Sequence, residues 1–262
     1  MNTARAIEKS DAFRRICRLA GRAAAEFGMI REHDRIVAGV SGGEDSLILA
    51  HVLEHLRRRA PFRFEWLGAF VDMGFPGMDP APLARYFAQR GWRFEVIALP
   101  GAELLETKNT ARLPCSLCAR LRRGRLYGLA DRVGAGVIAL GHHLDDLCAS
   151  FLISLFRGNG LKTMGPNVPA DSGRKRLIRP LCRVSKRLIR EAAAAEGAAL
   201  LPNCPFAGQV EEHGDRAWIE QLLDRLERRF PAVRQAMWQS MSRVEARHLL
   251  DPRLLEESDG GK

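Results

Sequence analysis

Apolar side chains recur at helical spacing from about Asp11 to Met29, at Phe13, Ile16, Cys17, Ala20, Ala23 and Phe27. Gly28 is placed to stop the helix they predict. Short apolar runs and longer amphipathic stretches then alternate. Ile36–Val40, Phe64–Val71, Phe94–Leu99 and Gly136–Leu140 read as strands, rich in β-branched and aromatic residues. Leu47–Arg59, Pro80–Arg90, Cys115–Val133 and Asp145–Phe156 read as the helices between and after them. Strands separated by helices pair in parallel, so the expectation is an α/β fold, a parallel β-sheet sandwiched by helices. Ligands bind such sheets beyond the carboxyl ends of the strands. Ser41, Asp72 and Gly141 all follow predicted strands, so they are expected to line one crevice.

The alternation ends near Gly158. From there to Pro180 the chain is rich in Gly, Pro, Lys and Arg and poor in apolar residues, which reads as a long functional loop. Ser185–Glu196, Asp215–Phe230 and Ala232–Leu249 again look helical and predict a C-terminal cap, with residues 256–262 frayed. The expected organisation is an N-terminal helical segment over 1–32, a nucleotide-binding domain over 33–157, and a basic loop with a helical extension over 158–262.

One turn in this pattern carries chemistry. Ser41-Gly42-Gly43-Glu44-Asp45-Ser46 joins the first strand to the helix after it. Strand, glycine turn and helix N-terminus together make a phosphate cradle. Glycine lets the backbone approach closely, and the first helical N–H groups are unpaired and lie at the positive end of the helix dipole. Ser41 and Ser46 add hydroxyl donors. No Gly-Lys-Ser/Thr follows, so this is not the kinase-type phosphate loop.

Composition sharpens the picture. With 46% hydrophobic residues in a chain of 262, a real core can form and wholesale disorder is excluded. The formal net charge is +10 and most basic residues are arginine, which suits a polyanionic partner bound through phosphate forks. No stretch approaches the roughly 18 apolar residues of a membrane span. Met1–Arg5 lacks the apolar core of a signal peptide. The expectation is a cytoplasmic protein with no membrane partner. Six cysteines in such a chain point to ligands, catalysts or buried thiols rather than disulfides.

Three of the cysteines stand out. Cys115 and Cys118 are three positions apart at the start of a helix, on one side of its first turn, and are followed by Arg120, Arg122, Arg123 and Arg125. Nearby arginines and a helix N-terminus favour thiolate, the form that binds metal. Cys204 lies between Pro202 and Pro205, where no regular structure forms. The residues alone leave four readings open: an iron–sulfur cluster on three thiolates with one iron free, structural zinc with a further ligand, a redox pair, or inert thiols. Cys17 and Cys148 read as core, and Cys182 is ambiguous.

The pattern Ser-Gly-Gly-x-Asp-Ser resembles the PP-loop of ATP pyrophosphatases. The run Pro114–Tyr127, the segment Gly141-His142-His143-Leu144-Asp145-Asp146, the run Ile178-Arg179-Pro180-Leu181 and the loop around Cys204 are similar to the tRNA 2-thiocytidine synthetase family, over roughly Ile36 to Leu249. The resemblance implies the PP-loop fold (adenine nucleotide alpha hydrolase-like, of the HUP type), with ATP, Mg²⁺ and a [4Fe–4S] cluster as cofactors. It implies an activity that transfers AMP to the C2 oxygen of a tRNA cytidine and replaces that oxygen with sulfur. On this chain Ser41, Gly42, Gly43 and Ser46 would hold the phosphates, while Asp72, Gly141 and His142 would line the nucleotide site. Asp45, Asp145 and Asp146 are the candidate catalytic or Mg²⁺-positioning carboxylates, and Cys115, Cys118 and Cys204 the cluster ligands. Arg120, Arg122, Arg123, Arg125 and Lys162 are candidates for tRNA phosphates, with Arg174, Lys175 and Arg176 beside them. A cysteine desulfurase or another sulfur donor would be a partner, and a homodimer is left open.

Glu44 departs from that family, which usually carries Lys at this position. A carboxylate about 4 Å from a phosphate costs roughly 4 kcal/mol at an effective dielectric of 20 but only about 1 kcal/mol in water. The expectation is that Glu44 points away or meets an arginine. Two alternatives remain: another adenylating PP-loop enzyme with an amine or a different sulfur nucleophile, and a non-enzymatic iron–sulfur or zinc RNA-binding protein with its ATP site disabled.

Overall fold

Six strands, β1 (Arg35–Gly39), β2 (Glu65–Asp72), β3 (Phe94–Ala98), β4 (Val137–Ala139), β5 (Asn167–Pro169) and β6 (Arg176–Ile178), form one sheet in the order β3-β2-β1-β4-β6-β5. Every pairing is parallel except β5 with β6. The structure, a computed structural model, describes residues 6–107, 115–170, 173–194, 201, 204–206 and 214–252. The helices among them are α1 (Ala6–Lys9), α2 (Asp11–Glu26), α3 (Glu44–Arg59), α4 (Ala81–Gln89), α5 (Gly101–Thr107), α6 (Cys115–Arg132), α7 (Leu144–Phe156), α8 (Lys186–Ala194), α9 (Asp215–Arg229) and α10 (Val233–Met241).

The near-continuous apolar runs of β1, β2 and β4 follow from burial on both faces. Side chains alternate between two cores. Ile36, Ala38, Trp66, Phe70, Val137 and Ala139 face the core with α2, α3 and α8. Val37, Leu67, Ala69, Val71 and Ile138 face the other, with α6. Each fully buried Leu, Ile or Phe contributes about 1.5–3 kcal/mol, so this two-sided burial is what keeps the strand ends in register. A third, smaller core joins α7 to α9 through Leu144, Cys148, Leu152, Ile219 and Leu223.

The strand order reverses between β1 and β4. The chain leaves β1 toward β2 and β3 on one side and returns as β4 on the other. In open α/β sheets such a reversal is where ligands bind, at the carboxyl ends of the two strands, and Ser41 and Gly141 follow the ends of β1 and β4. The expected parallel sheet between helices is present, with corrections. The span 158–180 is not all loop: β5 and β6 extend the sheet within it. Each is three residues long and flanked by Pro, Arg and Gly, so no run of apolar residues announces them; pairing to β4 makes them strands. The last long helix stops at Met241 rather than Leu249, and Ala246–His248 forms a single 3₁₀ turn. The expected fraying at 256–262 lies outside the described residues.

At the far end of α3, Glu54 is buried, 4% exposed, between two layers. Its carboxylate accepts from Trp66 Nε1 at 3.1 Å, Arg57 Nε at 2.8 Å and Arg58 Nε at 2.7 Å. Burial alone would raise its pKa, but these donors outweigh burial and hold it down to about 2. A carboxyl with a depressed folded pKa stabilises the protein fully above the unfolded value near 4.5 and loses that contribution as pH falls toward 2. Glu54→Gln is therefore expected to lower stability at pH 7 by roughly 1–3 kcal/mol. The gap to the parent should narrow in urea melts as pH drops below about 4.5. A gap that stays constant with pH would remove the ion pairs from the account.

Candidate active site

The turn after β1 is built around Ser46. Its hydroxyl donates to the Gly43 carbonyl at 2.8 Å and accepts from the Ser41 main-chain N–H at 3.1 Å, closing the loop on itself. Gly43 is the N-cap of α3, and no side chain caps the helix. The N–H groups of Ser46 and Leu47 return to the Gly43 carbonyl, while those of Glu44 and Asp45 find no acceptor among the described residues. A helix N-terminus with free donors is an anion site. Gly42 sits at φ +83°, and a Cβ there would lie 2.6 Å from Leu201 Cγ. So the loop needs glycine at this position twice over, for its left-handed backbone and for the approach of Leu201.

Gly141, beyond β4, presses against the same helix start: a Cβ would lie 3.2 Å from the Asp45 carbonyl oxygen and 3.4 Å from the Ser46 nitrogen. The crevice between β1 and β4 is thus closed at its floor by backbone on backbone. His143 follows, 5% exposed, with ring nitrogens 3.7 Å from Asp45 Oδ1, 3.7 Å from Asp145 Oδ2 and 3.5 Å from Asp146 Oδ2. Three aspartates therefore surround one imidazole. Each is also met by a cation from a separate element. Lys186 of α8 reaches Asp45 at 2.7 Å, Arg234 of α10 reaches Asp145 at 2.9 Å, and Arg216 of α9 reaches Asp146 at 3.2 Å. Asp146 accepts from the His143 N–H at 2.9 Å, and Asp145 accepts from the Lys186 N–H at 2.8 Å. These two carboxylates hold the starts of α7 and α8.

His142 is held by Arg179, whose Nε donates to its Nδ1 at 3.3 Å. Burial pushes the His142 pKa down to about 4; Asp146 opposes this, while Arg179 and Arg216 reinforce it, so the imidazole is neutral near pH 7. Glu44 does not face open solvent. Lys186 Nζ lies 2.6 Å from its Oε1 and Arg190 Nε lies 3.6 Å away. The expected meeting with an arginine is there at the longer distance, with a lysine nearer.

Cys118 is buried, Cys204 half-buried and Cys115 exposed. Cys118 and Cys204 belong to one apolar cluster, with Phe75 and Phe206, whose rings meet edge to face at 5.9 Å. Phe75 follows the end of β2, where Asp72 accepts from the Gly74 N–H at 2.9 Å. Burial, then the charge of Cys204, pushes the Cys115 thiol up; burial also dominates at Cys118, with Cys204 and Cys115 adding to it. Arg122 pulls both down and loses. The expected stabilised thiolate is therefore corrected: without a bound cation, burial and mutual repulsion outweigh one guanidinium. The charge of Cys204 reaches both Cys115 and Cys118, although among the described residues no three Cys, His, Asp or Glu side chains are spaced to hold an ion as they stand. Burial raises Cys17, Cys148 and Cys182 to about 12, as inert core thiols.

Among the basic candidates, Arg120, Arg123, Arg125 and Lys162 are exposed. Arg122 is half-buried, and its Nε has no acceptor among the described residues. Lys175 is buried on Asp131, and Arg176 bonds Asp34 at 2.8 Å and the Met29 carbonyl at 3.1 Å, so both are removed from the phosphate-binding set. Sequence reasoning did not single out Lys186, Arg216 or Arg234. They are single cations in arginine-rich helices, with no local signal to mark them.

The profile of the PP-loop domain family matches residues 105–201. The chain is 40% identical over 244 residues to the tRNA-cytidine(32) 2-sulfurtransferase of Pelobacter propionicus, covering 92% of this chain and 90% of that protein. It is 38% identical over 241 residues to the enzyme of the same name from Geobacter sulfurreducens, covering 91% and 93%. Among solved structures, the U34-tRNA thiolase NcsA from Methanococcus maripaludis with its [4Fe–4S] cluster superposes with a TM-score of 0.66 at 19% identity, covering 90% of this chain and 79% of that one. At that identity the likeness shows the fold.

Gly42→Ala must strain a left-handed backbone by about 1–2 kcal/mol and displace Leu201. It is expected to weaken ATP binding by roughly tenfold or more in calorimetric titrations. Gly141→Ala, which pushes on the backbone of Asp45, is expected to act in the same direction. Parent-like affinity in both would place the nucleotide elsewhere.

Proposed function

Because the chain belongs to the tRNA-cytidine(32) 2-sulfurtransferase family, we propose that it is an ATP-dependent tRNA sulfurtransferase that activates the C2 oxygen of a cytidine and exchanges it for sulfur. The carrying observation is the contact between Gly42 of the phosphate loop and Leu201, three residues before Cys204. It supports a single pocket in which the phosphate loop and the thiol-bearing loop would both take part.

The carbonyl oxygen on C2 of a pyrimidine ring is a poor leaving group. Attack of that oxygen on the α-phosphorus of ATP forms an O–P bond, breaks the bond to the β-phosphate and releases pyrophosphate. Sulfur at the sulfide level (HS⁻) then forms its bond to C2, and the C2–O bond breaks with AMP leaving and the sulfur's proton passing to water; sulfur that arrives as a persulfide must first take two electrons from a thiol reductant. Free N–H groups at the start of α3, with the Ser41 hydroxyl, would take the phosphates and the charge that develops on pyrophosphate, while Ser46, its proton held by the Gly43 carbonyl, would fix the loop around them. Asp72 and Gly141 flank the crevice where the nucleoside would lie. Mg²⁺ would enter with the phosphates and meet Asp45, the most exposed of the three aspartates at 35% of its side chain. Asp145 and Asp146 would orient rather than transfer protons, because each already holds a main-chain N–H and a guanidinium. A neutral His142 suits a hydrogen bond to substrate without adding charge.

Cys115, Cys118 and Cys204 would hold an iron–sulfur cluster through three thiolates: Cys118 and Cys204 share one apolar cluster, and Cys115, one helical turn before Cys118, is exposed. When bound, the cluster would supply an iron with a free position for incoming sulfur, delivered by a cysteine desulfurase or another donor. The tRNA backbone would lie along Arg120, Arg123 and Arg125, with Lys162 as a further contact. No helix of the described residues is long and apolar enough to cross a membrane, and a tRNA substrate fits the cytoplasm.

Two measurements test this reading. Bulk tRNA from cells lacking the gene is expected to lose 2-thiocytidine, and a Cys115→Ser, Cys118→Ser or Cys204→Ser copy should not restore it. The same variants, purified anaerobically, should lose most of their iron. An unchanged nucleoside profile in the deletion strain, with the protein expressed in its parent, would sink the proposal. Separately, each of Arg120→Ala, Arg123→Ala and Arg125→Ala is expected to lower the slope of log affinity for tRNA against log salt by about one. Slopes equal to the parent's would move the tRNA to another face.

A further inference from the structure

Lys186 opens α8, far along the chain from the phosphate loop, yet its side chain ends on that loop. Nζ lies 2.6 Å from Glu44 Oε1 and 2.7 and 2.8 Å from the two Asp45 oxygens. Its main-chain N–H is held by Asp145 Oδ2 at 2.8 Å, so both ends of the residue are anchored. The ammonium is largely covered, with 22% of the side chain exposed. Burial works against its charge, but Asp45 and Glu44 outweigh burial and keep its pKa above the ordinary lysine value.

Glu44 and Asp45 are the first two residues of the helix whose free N–H groups form the anion site. Two carboxylates there would repel a polyphosphate if left alone. Lys186, with Arg190 at 3.6 Å from Glu44, cancels them where the anion must approach. We propose that Lys186 is the cation of the phosphate cradle, carried in from α8, and that Glu44 is its anchor rather than a defect in the loop. Residues 44 and 186 then form a charge pair whose two ends can be exchanged, because what the cradle requires is one ammonium at its rim and not the helix that delivers it. The inference rests on the proposed binding of ATP at this loop. It makes Lys186 a positioning residue for the phosphates, with Glu44 acting through it.

The test is calorimetric titration of ATP into the full-length protein, a readout that needs neither tRNA nor sulfur. Lys186→Glu, which gathers three carboxylates at the cradle, is expected to weaken ATP binding by at least about thirtyfold, and Lys186→Gln by about tenfold. Adding Glu44→Lys to Lys186→Glu should restore affinity to within about fivefold of the parent. A role confined to packing would not be rescued by moving the charge to the other helix. If Lys186→Glu does not fold, as judged by its thermal melt, Lys186→Gln decides by itself: the tenfold loss supports the inference and parent-like affinity overturns it. A doubly substituted protein that binds no better than Lys186→Glu alone also overturns it. A parent protein that binds no ATP overturns the nucleotide reading and this inference together. Binding in the parent that is indifferent to residue 186 overturns this inference only.

Discussion

Backbone meets backbone where β4 ends and α3 begins, and the rest of the site depends on that approach. Gly141 lies so close to the Asp45 carbonyl that a Cβ there would have to push the helix start back. The contact exists because β1 and β4 are neighbours in the sheet although the chain leaves them in opposite directions. A crevice at such a reversal is open above and floored by two turns. One turn offers unpaired N–H groups and the other brings His142, His143, Asp145 and Asp146.

Electrostatics then ties the C-terminal elements to this floor. Asp45, Asp145 and Asp146 cluster around His143, and without cations their repulsion in a half-dry site would be severe. Relief comes from α8, α9 and α10, one cation each. Burying a charge is tolerated when it is paired and hydrogen-bonded. The helices beyond the sheet are therefore part of the proposed nucleotide site, since their cations pair with its carboxylates. A separate apolar contact, Gly42 with Leu201, ties the cysteine loop to the same place, and Phe75 with Phe206 holds its other side.

Much of this was legible in the chain. Strands β1 to β4 and helices α2, α3, α4, α6 and α7 fall within a few residues of their expected spans, because two-sided burial demands apolar runs that any reader of the sequence can see. The glycine turn was legible for a local reason: strand end, cap and helix start are contiguous residues. β5 and β6 were not, because three-residue strands become strands only through a partner. The phosphate-binding roles expected of Lys175 and Arg176 failed for the same kind of reason. A basic residue in a polar segment looks solvent-facing until its carboxylate partner, Asp131 or Asp34, arrives from elsewhere in the chain.

The division between the two levels follows from range. Order of elements, the glycine turn and the spacing of Cys115 and Cys118 are properties of neighbours in the chain, and periodicity and local sterics were enough to read them. Which cation answers Glu44, how three aspartates share one histidine, and that burial outweighs Arg122 at the paired thiols are settled in space, among residues that include pairs 141 positions apart. Coulomb energy and desolvation depend on distance and burial in space, and neither exists until the sheet has brought α3, α7 and α8 together.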